Sequence, residues 1–133
     1  MSKYSLPPYP MSRVDTYPNY QILKKFEKEG IDFIIRSARG KSKTIILAPH
    51  GGGIEPGTTE IAESIAGDIH SFYTFEGFRK EGNEKLHLTS NVFDEPTALE
   101  MVAKSKQTVV IHGFEEEDHE VIVGGRDDRL AQQ

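Results

Sequence analysis

The chain has 133 residues, of which 36% are hydrophobic and 28% charged, with a formal net charge of −5 and no cysteine. That size and polarity fit one globular core, and the acidic balance argues against general nucleic-acid binding, which needs basic side chains to displace phosphate counterions. No run approaches the ~18 apolar residues of a membrane-spanning helix, and the lack of thiols removes disulfides, thiolate metal sites and cysteine nucleophiles together.

Residues 1–16 read as an irregular lead-in, since four of the seven prolines cluster at Pro7, Pro8, Pro10 and, just beyond, Pro18. The uninterrupted apolar segment of a secretory signal is missing there, so a cytoplasmic location is expected. Residues 17–133 are expected to form a single domain. Asn19 is placed to cap a helix over 20–29, with Ile22, Leu23 and Phe26 as its apolar positions and Gly30 as a left-handed terminator. Strands are expected at 31–36 and 44–48, forming an antiparallel pair across the polar turn Arg39-Gly40-Lys41.

The second of these strands leads into Pro49-His50-Gly51-Gly52-Gly53-Ile54-Glu55-Pro56-Gly57, and residues 58–66 then read as a helix. Residues 70–75 are aromatic and β-prone, and Leu86-His87-Leu88-Thr89 reads as a short strand. A helix through Lys104 follows, with Asp94 as its N-cap, Pro96 in its first turn and Leu99, Val102 and Ala103 on its apolar face. Residues 108–111 form a strongly apolar strand ending in His112-Gly113. An acidic turn at 115–118, a strand at 120–123 and a helix from 126 to the end complete the chain. Strands alternating with helices predict an α/β fold with a mixed sheet flanked by helices.

Without thiolates, a metal must be held by carboxylates and by the five histidines: His50, His70, His87, His112 and His119. Both apolar strands, 44–48 and 108–111, end in a histidine at a small polar junction. If both are central and parallel, the two imidazoles emerge at the same sheet edge, where open α/β sheets bind ligands. His50, Glu55 and His112 then supply the three protein ligands of a catalytic zinc site, the glycines letting the backbone fold Glu55 back towards His50. Each element also has a plainer reading: a hydrogen-bonded structural histidine, a surface glutamate, or a glycine nest for an anion. The phosphate-loop pattern fails, because no Lys-Ser or Lys-Thr follows the glycines. Ser90, His87 and Asp94 lack the Gly-x-Ser-x-Gly elbow of a serine hydrolase. His70 reads as structural, and His119 as part of a solvated acidic turn.

Taken together, Ala48-Pro49-His50-Gly51-Gly52-Gly53-Ile54-Glu55-Pro56-Gly57-Thr58, Leu86-His87-Leu88-Thr89-Ser90 with Phe93-Asp94-Glu95-Pro96, Ile111-His112-Gly113 and Val123-Gly124-Gly125 resemble the poly-γ-glutamate hydrolase family, whose members are often labelled phage-related. The resemblance runs from about Tyr17 to the C-terminus. It implies a zinc peptidase with a carboxypeptidase-like α/β fold acting on an anionic γ-linked glutamate polymer, with Zn2+ on His50, Glu55 and His112. Related sequences often carry a further histidine where this chain has Asn91-Val92, and they continue past the equivalent of Gln133. The family domain is therefore expected to be incomplete here, with the general base in the further segment; Glu60 and Glu95 are poor substitutes. Arg79, Lys80, His87, Ser90 and Arg126 are the expected substrate-binding residues, the cations pairing with substrate carboxylates. The competing expectation is an inactive, metal-binding relic.

Overall fold

The glycine-rich stretch grows directly out of the central strand of the sheet. In a computed structural model that describes residues 14–114, 121–126 and 128–131, the strand β2 spans Thr44–Gly52 and carries His50 within it. Strand β1 is Phe33–Ala38, β3 is Ser71–Gly77 and β4 is Gln107–Val110. Helix α1 is Tyr20–Phe26, α2 is Thr58–Ala66 and α3 is Pro96–Ala103. The sheet order is β1-β3-β2-β4, with β2 parallel to both β3 and β4 and β1 antiparallel to β3. It is the mixed α/β architecture expected.

Alternation along β2 divides the core between two faces. Ile45 and Leu47 pack with Tyr20, Leu23, Phe33, Tyr73, Phe75, Leu86, Leu88, Ala98 and Met101, so α1 and α3 cover one face. Ile46 and Ala48 pack with Ala62, Ala66 and Phe72, so α2 covers the other. The crossovers to the two neighbours of β2, through α2 to β3 and through α3 to β4, run over opposite faces and open a crevice at the carboxyl ends of the strands. Fully burying one side chain such as Leu88 contributes about 1.5–3 kcal/mol.

The structure corrects several expectations. β1 does not pair with β2: the crossover through α2 places β3 between them, and Phe33 stacks on Phe75 at 4.8 Å between ring centroids. Helix α1 is capped by Asn19, which accepts from the Ile22 N–H, but it ends at Phe26 because the Lys28 N–H is diverted to the Asp32 carboxylate at 2.7 Å. Gly30, at φ 87, serves the turn into β1 instead. Residues 86–89 are not a strand: a 3-10 turn spans Asn83–Leu86, and the alternation reflects Leu86 and Leu88 both entering the core without a ladder.

Glu95, not Asp94, caps α3, accepting from the Thr97 and Ala98 N–H groups, whereas Asp94 accepts from the Tyr20 N–H at 2.6 Å. The buried face of α3 carries Ala98 and Met101, while Leu99 and Val102 are exposed. Among the described residues β4 is an edge strand and mostly exposed, not central.

The chain divides into two compact units, one of Asp15–Phe114 and one of Met1–Val14 with Glu115–Gln133. The first holds every element above. In the second, residues 121–124 are irregular where a strand was expected, having no ladder among the described residues, and α4 covers Asp128–Ala131. The acidic turn at 115–118 and His119 fall outside the described residues, as do residues 1–13. Among the described residues no helix is long and apolar enough to cross a membrane.

Candidate metal centre

A bulge interrupts the pairing of β2 with β3 between Ala48 and Gly51, at Pro49 and His50. Proline has no N–H to give a ladder, and the extra residue re-aims the next side chain. His50 is thereby turned into the interior, 2% exposed. Beyond it the backbone doubles back, with the Glu55 N–H donating to the His50 carbonyl at 2.8 Å. Two glycines permit this return. A Cβ on Gly51 would meet Thr59 Oγ1 at 2.2 Å and Thr74 Oγ1 at 2.4 Å, and Gly52 has φ +58.

β4 delivers the other histidine. Leu47 is in register with Val110, and the Ile111 N–H still donates to the Leu47 carbonyl at 2.8 Å, so His50 and His112 emerge side by side beyond the strand pairing. Their Nδ1 atoms lie 3.3 Å apart. Glu55 Oε2 is 3.3 Å from His50 Nδ1, and Glu55 Oε1 is 3.7 Å from His112 Nδ1.

The outward-facing atoms of all three residues are already engaged. His50 Nε2–H donates to the Leu88 carbonyl at 2.5 Å, which leaves its Nδ1 a lone pair in the neutral ring. His112 Nε2 bonds to Ser90 Oγ at 3.2 Å, and Glu55 Oε1 accepts the Gly113 N–H at 2.9 Å. Three candidate ligand atoms thus converge on one space, all within 4.8 Å of one another. Tetrahedral ligands held 2.0–2.2 Å from zinc sit about 3.3 Å apart, so the donor set fits that ion, with hydrogen-bonded partners behind the ligands. Burial pushes the Glu55 carboxyl up, but the adjoining His112 and His50 imidazoles and the Gly113 N–H hold it well below the usual carboxylate range.

Of the residues expected to bind substrate, His87 and Ser90 lie at this cluster, and Arg79 is held elsewhere. The His87 ring stacks on His50 with centroids 4.0 Å apart, and its Nε2 is 3.7 Å from Glu55 Oε2. Burial and the neighbouring His50 lower the His87 pKa below its ordinary value. The Arg79 guanidinium is engaged by Glu27, by Asp32 at 3.0 Å and by the Gly82 carbonyl. Lys80 is exposed, and Arg126 belongs to the other unit. His70 bonds to Ser42 Oγ, as suits a structural histidine. Glu95 is buried as the cap of α3, and Glu60 is exposed.

Sequence reading missed Asp15, which holds His87 Nδ1 at 2.8 Å and the Thr89 N–H at 2.6 Å. It also missed the Leu88 carbonyl and the Gly113 N–H. An isolated aspartate in a proline-rich lead-in carries no local signal, and backbone groups carry none at all.

Comparisons with known proteins give the family and the fold. A family model for poly-gamma-glutamate hydrolase matches residues 17–133. UPF0714 protein YndL of Bacillus subtilis strain 168 is 42% identical over 113 residues, covering 85% of this chain and 44% of that protein. The SPbeta prophage-derived UPF0714 protein YoqZ of the same organism is 41% identical over 117 residues, covering 88% and 42%. The solved structure of a bacteriophage poly-gamma-glutamate hydrolase superposes with a TM-score of 0.75 at 39% identity, over 78% of this chain and 51% of that one. A zinc-free apo structure of YndL gives the same TM-score at 41% identity, over 79% and 51%. The chain thus spans about half the length of the proteins it matches.

Proposed function

The chain belongs to the poly-γ-glutamate hydrolase family, and we propose that it is the metal-holding part of a zinc-dependent hydrolase of γ-glutamyl amide bonds. The observation that carries this reading is the convergence of His50 Nδ1, His112 Nδ1 and Glu55 on one space, each with a hydrogen-bonded partner behind it. Zinc held there supplies Lewis-acid polarisation of the scissile carbonyl and lowers the pKa of water.

The chain's own residues set the geometry. The Leu88 carbonyl fixes the His50 tautomer, the Gly113 N–H orients Glu55, and the bulge in β2 aims His50. Ser90, exposed beside His112, lines the approach to the site. A polyanionic substrate needs cations, and the exposed Lys80 is more available for that than Arg79, whose charge is satisfied internally. The general base is assigned to no residue of this chain.

A second reading, metal binding without hydrolysis, draws on the lack of an assigned general base among the described residues. Incubating the zinc-loaded protein with poly-γ-glutamate and with an α-linked glutamate polymer separates the two. Cleavage of the γ-linked polymer alone supports the hydrolase. Zinc binding with neither polymer cut supports the second reading, and equal cleavage of both removes the γ-specificity.

A further inference from the structure

One imidazole–carboxylate pair stands beside the three candidate ligands and is not used by them. His87 follows the 3-10 turn Asn83–Leu86, and its ring lies on that of His50, 25° from parallel. Asp15 grips both neighbours of Leu88: Oδ1 meets His87 Nδ1 at 2.8 Å, and Oδ2 accepts the Thr89 N–H at 2.6 Å. The residue between them supplies the carbonyl that holds His50.

A carboxylate in this position can only accept, so His87 Nδ1 carries the hydrogen. In the neutral ring Nε2 is then a lone pair. It faces Glu55 Oε2 at 3.7 Å, too far for a hydrogen bond and with two acceptors opposed. Such a pair is satisfied by a donor placed between them.

We propose that Asp15 is a positioning residue that holds His87 in the Nδ1–H tautomer, and that His87 Nε2 accepts a hydrogen bond from the hydrolytic water and orients it beside the ligand cluster. This rests on the reading of His50, Glu55 and His112 as a hydrolytic centre. The arrangement follows the general pattern in which a carboxylate sets the tautomer and orientation of a functional imidazole.

Asp15→Asn tests it. An amide has one acceptor oxygen, which the Thr89 N–H claims; the NH2 group then faces His87 Nδ1 and forces the hydrogen onto Nε2. Imidazole nitrogen shifts of 15N-histidine-labelled, metal-free protein should report Nδ1–H at His87 in the wild type and Nε2–H in Asp15→Asn. With zinc, Asp15→Asn and His87→Ala should each lose about 10–100-fold in kcat on poly-γ-glutamate, with KM and zinc content nearly unchanged. A wild-type His87 that is Nε2–H or doubly protonated overturns the proposal without any variant, even if Asp15→Asn fails to fold. Full kcat in both variants overturns it while leaving the hydrolase reading intact. A wild type that binds zinc but cuts nothing removes the role given to His87 together with that reading, and the labelled spectra show which part failed.

Discussion

The Nδ1 atoms of His50 and His112 face each other at 3.3 Å although the two residues are 62 apart in the chain. Two ring nitrogens with their outer faces already bonded do not approach this closely without a proton or a cation to share. A metal ion would be such a cation, so metal content is the first thing to measure. The protein should hold about one zinc per chain after dialysis against metal-free buffer. His50→Ala and His112→Ala should each weaken zinc by more than about 100-fold, beyond the 10–100-fold range of residues that only support a ligand. A chelator competition titration decides it; variants that keep wild-type affinity would remove these residues from the site.

Acid should loosen the grip of Asp15. Burial raises its carboxyl, but the Thr89 N–H and the His87 side chain outweigh that and lower it from 3.8. A carboxylate with a depressed folded-state pKa contributes stability that is complete about one pH unit above its unfolded value, here by about pH 5. That contribution is lost as pH falls through the lower folded-state value. Wild type should therefore exceed Asp15→Asn in denaturant midpoint at pH 6, and the gap should close towards about pH 2. A gap that stays constant with pH would show that the Asp15 charge adds nothing.

Gly51 tests the packing behind the bulge. Gly51→Ala drives a methyl into Thr59 Oγ1 and Thr74 Oγ1, which hydrogen-bond each other at 2.9 Å in the core. The cost should be about 1–3 kcal/mol of unfolding free energy. Gly57→Ala is the control for backbone strain alone, since its φ is +96 and nothing lies within 4 Å of a Cβ there. An unchanged unfolding free energy for Gly51→Ala would mean that crowding at Gly51 is unimportant.

Two neighbouring acids should behave differently under urea. Glu95→Ala removes the cap of α3 and should cost about 1 kcal/mol or more. Asp94→Ala should instead free the start of α1, because its carboxylate holds the Tyr20 N–H. Amide exchange tells them apart, with faster exchange in α3 for the first variant and in α1 for the second.

Arg79→Ala should act on stability and not on metal. It leaves Glu27, 7% exposed, beside Asp32 with no guanidinium between them. A loss of about 2–3 kcal/mol is expected, below the range for a fully buried pair because Arg79 keeps some exposure. Zinc content should stay that of the wild type. A large change in the KM for poly-γ-glutamate at unchanged stability would restore the substrate role expected from sequence.

Local features of the chain were readable because their signals are short-range. The apolar run before Pro49, the glycine turn and helix α2 all follow from residue type and spacing within a few positions, and α2 begins and ends where the pattern indicates. Likewise, the absence of cysteine narrows the metal-ligand types to His, Asp and Glu. Strand pairing is a long-range choice, so β3 inserted itself between the two strands expected to form a hairpin. Asp94 and Glu95 are equally good caps by composition, and the Tyr20 N–H, 74 residues away, takes one of them. The lone pairs aimed at one space, the Leu88 carbonyl behind His50 and the Asp15 grip on His87 exist only once β2, β4 and the lead-in are brought together. Residue identities determine which atoms are able to bind; the register of parallel strands decides which of them meet, because that register is set by a core packed from the whole chain.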